Sequence, residues 1–146
     1  MTYGNPWQSY RNVATNTAPP GQLVLMLYDG AIRFLNQALA AFESDDPLEF
    51  NQTVSNNIIR AQDIINELNL SLNMTAGGEF SSTMRGLYTY FDRRLQDSNI
   101  QKEETGLREV IARLTVVRDA WAEMLSKEVE APKDREEHRP SLEAHG

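Results

Sequence analysis

Apolar residues recur every three or four positions through most of this chain, and no stretch alternates apolar with polar residues as a half-buried strand would. The pattern predicts four long helices. The first opens at Thr17 or the Pro19-Pro20 pair, where proline is tolerated because a first-turn N–H is unpaired anyway. It runs to about Glu43 with an inward stripe of Val24, Leu27, Tyr28, Ala31, Leu35, Ala38 and Phe42. Between Leu23 and Leu35 it is apolar on almost every side, so neighbours are expected to enclose most of its circumference. The second starts after Pro47 with Asp46 as N-cap and carries Phe50, Val54, Ile58, Ala61, Ile65, Leu68 and Leu72. Gly77-Gly78 is expected to end that element or its fraying tail. The third carries Phe80, Met84, Leu87, Tyr88, Phe91 and Leu95 and stops near Ser98-Asn99. The fourth starts around Glu103 and carries Leu107, Val110, Ile111, Leu114, Val117, Trp121 and Leu125.

Helices of about 20 to 25 residues are about 30 to 37 Å long, and two of the three connections are short, which makes neighbours antiparallel. The fold class expected is all-α: an antiparallel four-helix bundle over 21–129. Before it, residues 1–20 form an N-terminal arm in which Trp7, Tyr10 and Val13 repeat every three residues, enough for a short docked helical turn. After it, 130–146 has no apolar stripe and reads as a disordered, acidic tail.

Composition narrows the function by exclusion. At 146 residues the chain holds one domain with a proper core. Its net charge of −7 and pI near 4.8 argue against nucleic acid and anionic membranes as partners. No cysteine is present, which excludes disulfides, thiolate metal sites and thiol nucleophiles. The start has neither a basic n-region nor an apolar h-region, and the most apolar window carries Asp29 and Arg33 and is too short to span a bilayer. A cytoplasmic protein without membrane insertion is expected.

Both histidines, His138 and His145, fall in the tail, so an imidazole base or zinc ligand inside the fold is not expected. The Glu-x-x-His pairs of di-metal bundles are missing as well. Asp29 with Arg33, and Asp63 with Arg60, read as surface ion pairs. The expectation is therefore no enzyme, no cofactor and no metal. Three features are less ordinary. Gly30 sits mid-helix at a cost of about 1 kcal/mol relative to Ala, marking either a close helix crossing or the approach of another chain or of the arm. Tyr90 is left toward solvent or a partner if Tyr88 and Phe91 fill the core. Ile59, Ile64 and Leu70 widen the apolar face of the second helix, as core or as a groove for a partner's helix.

The order of residues resembles a family. Tyr10 and Val13, Thr17-Ala18-Pro19, the block from Leu23 through Met26-Leu27-Tyr28-Asp29-Gly30-Ala31 to Leu35, the block Ala61 to Leu72, Gly77-Gly78-Glu79, Leu87-Tyr88-Thr89-Tyr90 and Arg93-Arg94-Leu95 are similar to the flagellar secretion chaperones, FliS. The likeness covers roughly residues 7 to 125; Pro20 and the acidic tail after Val129 depart from its pattern. It implies a cytosolic helical bundle that binds the C-terminal segment of newly made flagellin, disordered when free, prevents premature polymerisation and delivers it to the export gate protein FlhA of the type III apparatus. Partners found in some members, an anti-sigma factor, a co-chaperone or a second copy in a homodimer, come with it. The arm at Tyr10 and Val13 corresponds to a cap that cargo displaces, and the implied cargo surface includes Ile58, Ile65, Leu68, Asn69, Leu72 and Tyr88. The competing reading is a self-associating scaffold or regulator-binding bundle of the flagellar system.

Overall fold

The computed structural model describes residues 20–72 and 77–138, with side chains for 21–72 and 77–127. The arm with Tyr10 and Val13 and the last residues of the tail, including His145, lie outside the described residues. Four helices follow one another: α1 Pro20–Ala40, α2 Pro47–Leu70, α3 Gly78–Gln101 and α4 Glu104–His138, with a single 3-10 turn at Ala41–Glu43 closing α1. Among the described residues there is no strand. Helices α1 and α3 each pack against both α2 and α4, so the four stand at the corners of a square with antiparallel neighbours.

Local chemistry accounts for the boundaries. Asp46 caps α2, its carboxylate accepting from the backbone N–H of Leu48 at 3.0 Å and of Glu49 at 3.4 Å, with Pro47 in the first turn. Phe42 and Phe50 meet edge to face at 5.1 Å across this turn and pin the α1–α2 hairpin. Helix α3 runs past Ser98-Asn99 to Gln101 and is ended by Lys102, the one described non-glycine residue with positive φ (53°). The Lys102 ammonium donates to the Asn99 carbonyl at 2.7 Å and to Asn99 Oδ1 at 2.8 Å, placing a cation on the exposed carbonyls of the helix terminus.

The core follows the predicted stripes closely. Leu27, Tyr28, Ala31, Leu35 and Ala38 of α1 meet Val54, Ile58, Ala61, Ile64, Ile65 and Leu68 of α2, Met84, Tyr88, Phe91 and Leu95 of α3, and Leu107, Val110 and Leu114 of α4. Ile64 belongs to this core, whereas Ile59 and Leu70 are exposed. Gly30 is buried within α1.

Three expectations change. Gly77 and Gly78 start α3, with Gly78 at φ 55°, rather than ending α2, which stops at Leu70. Phe80 is exposed because it lies in the first turn of α3, past the end of the buried layers. Asp29 reaches across to Arg118 of α4, whose Nε donates to its carboxylate at 2.7 Å. That contact ties α1 to α4.

Candidate functional site

Where the first turns of α1, the end of α2 and the start of α3 converge, an apolar cavity of about 370 Å³ penetrates between the helices. Val24 and Tyr28 of α1, Leu68 and Leu72 at the end of α2, Met84 and Tyr88 of α3 and Trp121 of α4 form its wall, with Phe80 at its mouth. Helix α2 stops at Leu70 and α3 begins at Gly78. Phe80, 60% exposed, is among the lining residues, whereas Leu70, 78% exposed, is not. Among the described residues no lysine, arginine, aspartate or glutamate lines the cavity, and the wall they form is suited to apolar surface.

Two polar contacts shape the wall. Trp121 is half-buried and its indole N–H donates to the Gly21 carbonyl at 2.9 Å, clamping α4 to the first turn of α1. At the inner surface, the hydroxyls of Tyr28 and Tyr88 stand 2.5 Å apart, joining the diagonal helices α1 and α3 through the core. Burial pushes both phenols above their ordinary pKa, so the pair stays neutral at physiological pH.

The residues singled out from the sequence divide into two groups. Leu68, Leu72 and Tyr88 come together on the cavity wall. Ile58 and Ile65 do not; both are fully buried in the centre of the core, among the largest completely enclosed side chains. Asn69 is half-buried beside them, its Oδ1 without a partner while its carbonyl receives Arg85 at 3.4 Å. Val24, Tyr28, Met84 and Trp121 also line the cavity. Each lies in a predicted stripe, and the signal that could have separated them from closed core is their position in the terminal turns at one common end of the four helices.

Residues 3–128 match the family described as Flagellar protein FliS. The chain is 41% identical over 128 residues to the flagellar secretion chaperone FliS of Bacillus subtilis, covering 88% of this chain and 92% of that one. It is 32% identical over 115 residues to that of Salmonella typhimurium (78% and 82% covered) and 30% identical over 125 residues to that of Campylobacter jejuni (86% and 94% covered). The chain belongs to the FliS family. FliS is a family of flagellar secretion chaperones, not of enzymes, which agrees with a site built from apolar walls rather than from reactive groups.

The remaining polar clusters of the chain brace the bundle. Glu109 of α4 accepts from Tyr90 at 2.6 Å and from Arg94 at 2.8 Å, both on α3, and from Arg113 one turn along at 3.0 Å. These donors, Tyr90 and Arg94 foremost, hold the Glu109 carboxyl down at about 2. Tyr90 is thus exposed yet committed to an internal partner. Gln62 of α2 similarly donates to the Asp92 carbonyl and carboxylate of α3 at 3.3 and 3.2 Å. Among the described residues no group of histidines and carboxylates could hold a metal ion, and no helix is long and apolar enough to cross a membrane.

Proposed function

We propose that this FliS binds the disordered C-terminal segment of flagellin in the cytoplasm, keeps it from polymerising prematurely and delivers it to the flagellar type III export apparatus through FlhA. The observation that carries the reading is the largely apolar cavity between the helix ends, whose described lining residues carry no charge and include the exposed Phe80. A groove of this kind takes up the apolar face of an amphipathic helix. Covering a large apolar side chain yields up to about 1.5–3 kcal/mol, and ordering a disordered segment offsets about 2–5 kcal/mol of the gross gain. The balance gives a dissociable complex, on the order of nanomolar to micromolar, as export requires.

The arm around Tyr10 and Val13 acts as a cap on this cargo surface. It joins the bundle at Pro20, one turn before Val24 of the cavity wall, so its reach to the cavity is short. Titration calorimetry of the full chain with a peptide of the flagellin C-terminal segment tests the proposal. Binding in the stated range supports it; no heat and no complex at high concentration refutes it. A stable dimer on size-exclusion chromatography, indifferent to the peptide, would favour the self-associating scaffold.

A further inference from the structure

The described cavity wall is apolar except for Ser71, Ser81 and the pair Tyr28 and Tyr88, whose hydroxyls meet. Each tyrosine is only 3% exposed, and the described residues offer neither hydroxyl a partner other than the other. Two hydroxyls carry two protons, and a single contact can hold one of them between the oxygens. The second proton is a donor in need of an acceptor. Of the serines in the wall, Ser71 Oγ donates to the Leu68 carbonyl at 2.7 Å and makes no contact with the pair. Solvent can supply the acceptor while the cavity is wet, because the volume is ample for water. Once an occupant excludes water, the proton goes unanswered unless the occupant answers it, and a buried unsatisfied donor costs about 1–3 kcal/mol.

We propose that the Tyr28–Tyr88 hydroxyl pair is a specificity determinant of the cavity: it selects a helical cargo segment that places one neutral hydrogen-bond acceptor, the side chain of Asn, Gln, Ser or Thr, among its apolar anchors. The proposal rests on the cargo-binding reading above and adds to it which segment fits. A wholly apolar segment is penalised by the orphaned proton. A carboxylate is penalised by burial against a wall whose described residues include no lysine or arginine. The register of the bound helix is thereby fixed, since sliding by one residue carries the acceptor off the pair.

The test uses the full chain, the double variant Tyr28→Phe/Tyr88→Phe, and a peptide of the flagellin C-terminal segment. In the peptide each Asn, Gln, Ser and Thr is replaced singly by an apolar residue of similar volume. With the unaltered chain, one replacement is expected to weaken binding about tenfold while the others do little. In the double variant, folded by its melting curve, that same replacement is expected to cost nothing, because the donor is gone. Each single Tyr→Phe variant keeps one hydroxyl and is expected to keep the preference. If every apolar replacement binds the unaltered chain equally well, or if the costly position costs the double variant as much, the proposal is overturned while cargo binding stands. If the parent peptide does not bind at all, the cargo reading falls and this proposal with it. Should the double variant fail to fold, the scan on the unaltered chain still decides.

Discussion

Gly106 in the first turn of α4 lies directly against Ser98 of α3. A Cβ built at Gly106 would collide with Ser98 Oγ and approach both Ser98 Cβ and the Arg94 carbonyl oxygen to 3.3 Å. The two helices meet this closely because the connection between them is only Lys102 and Glu103. Gly106→Ala should therefore destabilise the chain by about 1–2 kcal/mol, even though alanine gains about 1 kcal/mol over glycine in an open helix. Ser98 Oγ is buried without a partner, so Ser98→Ala should change stability by no more than about 0.5 kcal/mol. The double variant should recover part of the Gly106→Ala loss, because the strongest clash is with the removed hydroxyl. Urea unfolding of the four proteins measures the coupling.

Glu109 sets the acid limit of the α3–α4 seam. Its folded pKa of about 2 lies below the ordinary 4.5, so the stability it contributes is fully present above the ordinary value. That contribution is lost as pH falls from about 4.5 through about 2. Glu109→Gln removes the charge that Tyr90, Arg94 and Arg113 share, and its melting temperature should fall less steeply than that of the unaltered chain over this window. Parallel slopes for the two proteins would show that the seam does not depend on the carboxylate.

Asp46 offers a contrast at the opposite end of the bundle. Losing the two backbone N–H contacts of this cap in Asp46→Ala should cost about 1 kcal/mol. Because Asp46 is a full helix length from the cavity, affinity for the flagellin peptide should be unchanged. Denaturant midpoints and calorimetry on the same preparation check both halves.

The helices and their inward faces were legible because a four-helix bundle buries one continuous stripe per helix, and Leu35, Ile58, Phe91 and Leu114 each sit where a 3.6-residue period requires. What periodicity does not carry is position along the bundle axis. Ile58 and Leu72 belong to one predicted stripe, yet one is sealed in the core of α2 and the other lies past its end and lines the cavity. Trp121 reads as core for the same reason and is instead half-buried at the rim. Contacts between distant segments are likewise invisible to local pattern: Asp29 looks like a partner for Arg33 four residues away, while Arg118, 89 residues on, is where its carboxylate is held. The Tyr28–Tyr88 pair, 60 residues apart, needed the bundle to be closed before its hydroxyls could meet.

Trp121 separates packing from hydrogen bonding at the rim. Trp121→Phe keeps most of the ring but loses the bond to the Gly21 carbonyl, a loss of about 1 kcal/mol. Trp121→Ala loses the wall itself and should cost about 2–3 kcal/mol, less than the 3–5 kcal/mol of a fully buried tryptophan, because the side chain is already partly solvated. Equal losses for the two variants would place the whole contribution in the hydrogen bond.

The division of the residues proposed for cargo makes the sharpest contrast. Ile58 and Ile65 are fully enclosed, so Ile58→Ala or Ile65→Ala should lower stability by about 2–5 kcal/mol through the cavities they leave. Phe80 is mostly exposed, and Phe80→Ser should leave stability within about 0.5 kcal/mol. Its effect on binding runs the other way. The mouth loses a large apolar contact, and affinity for the flagellin peptide should fall about tenfold or more. Tyr10→Ala in the arm belongs with Phe80: it should alter peptide affinity without a large change in melting temperature, as a detachable cap requires. Measured side by side, stability and affinity should sort these four variants into two pairs. If Phe80→Ser binds the peptide as the unaltered chain does, the mouth of the cavity is not where cargo enters, and the surface must be sought on the exposed faces around Ile59 and Val116 instead.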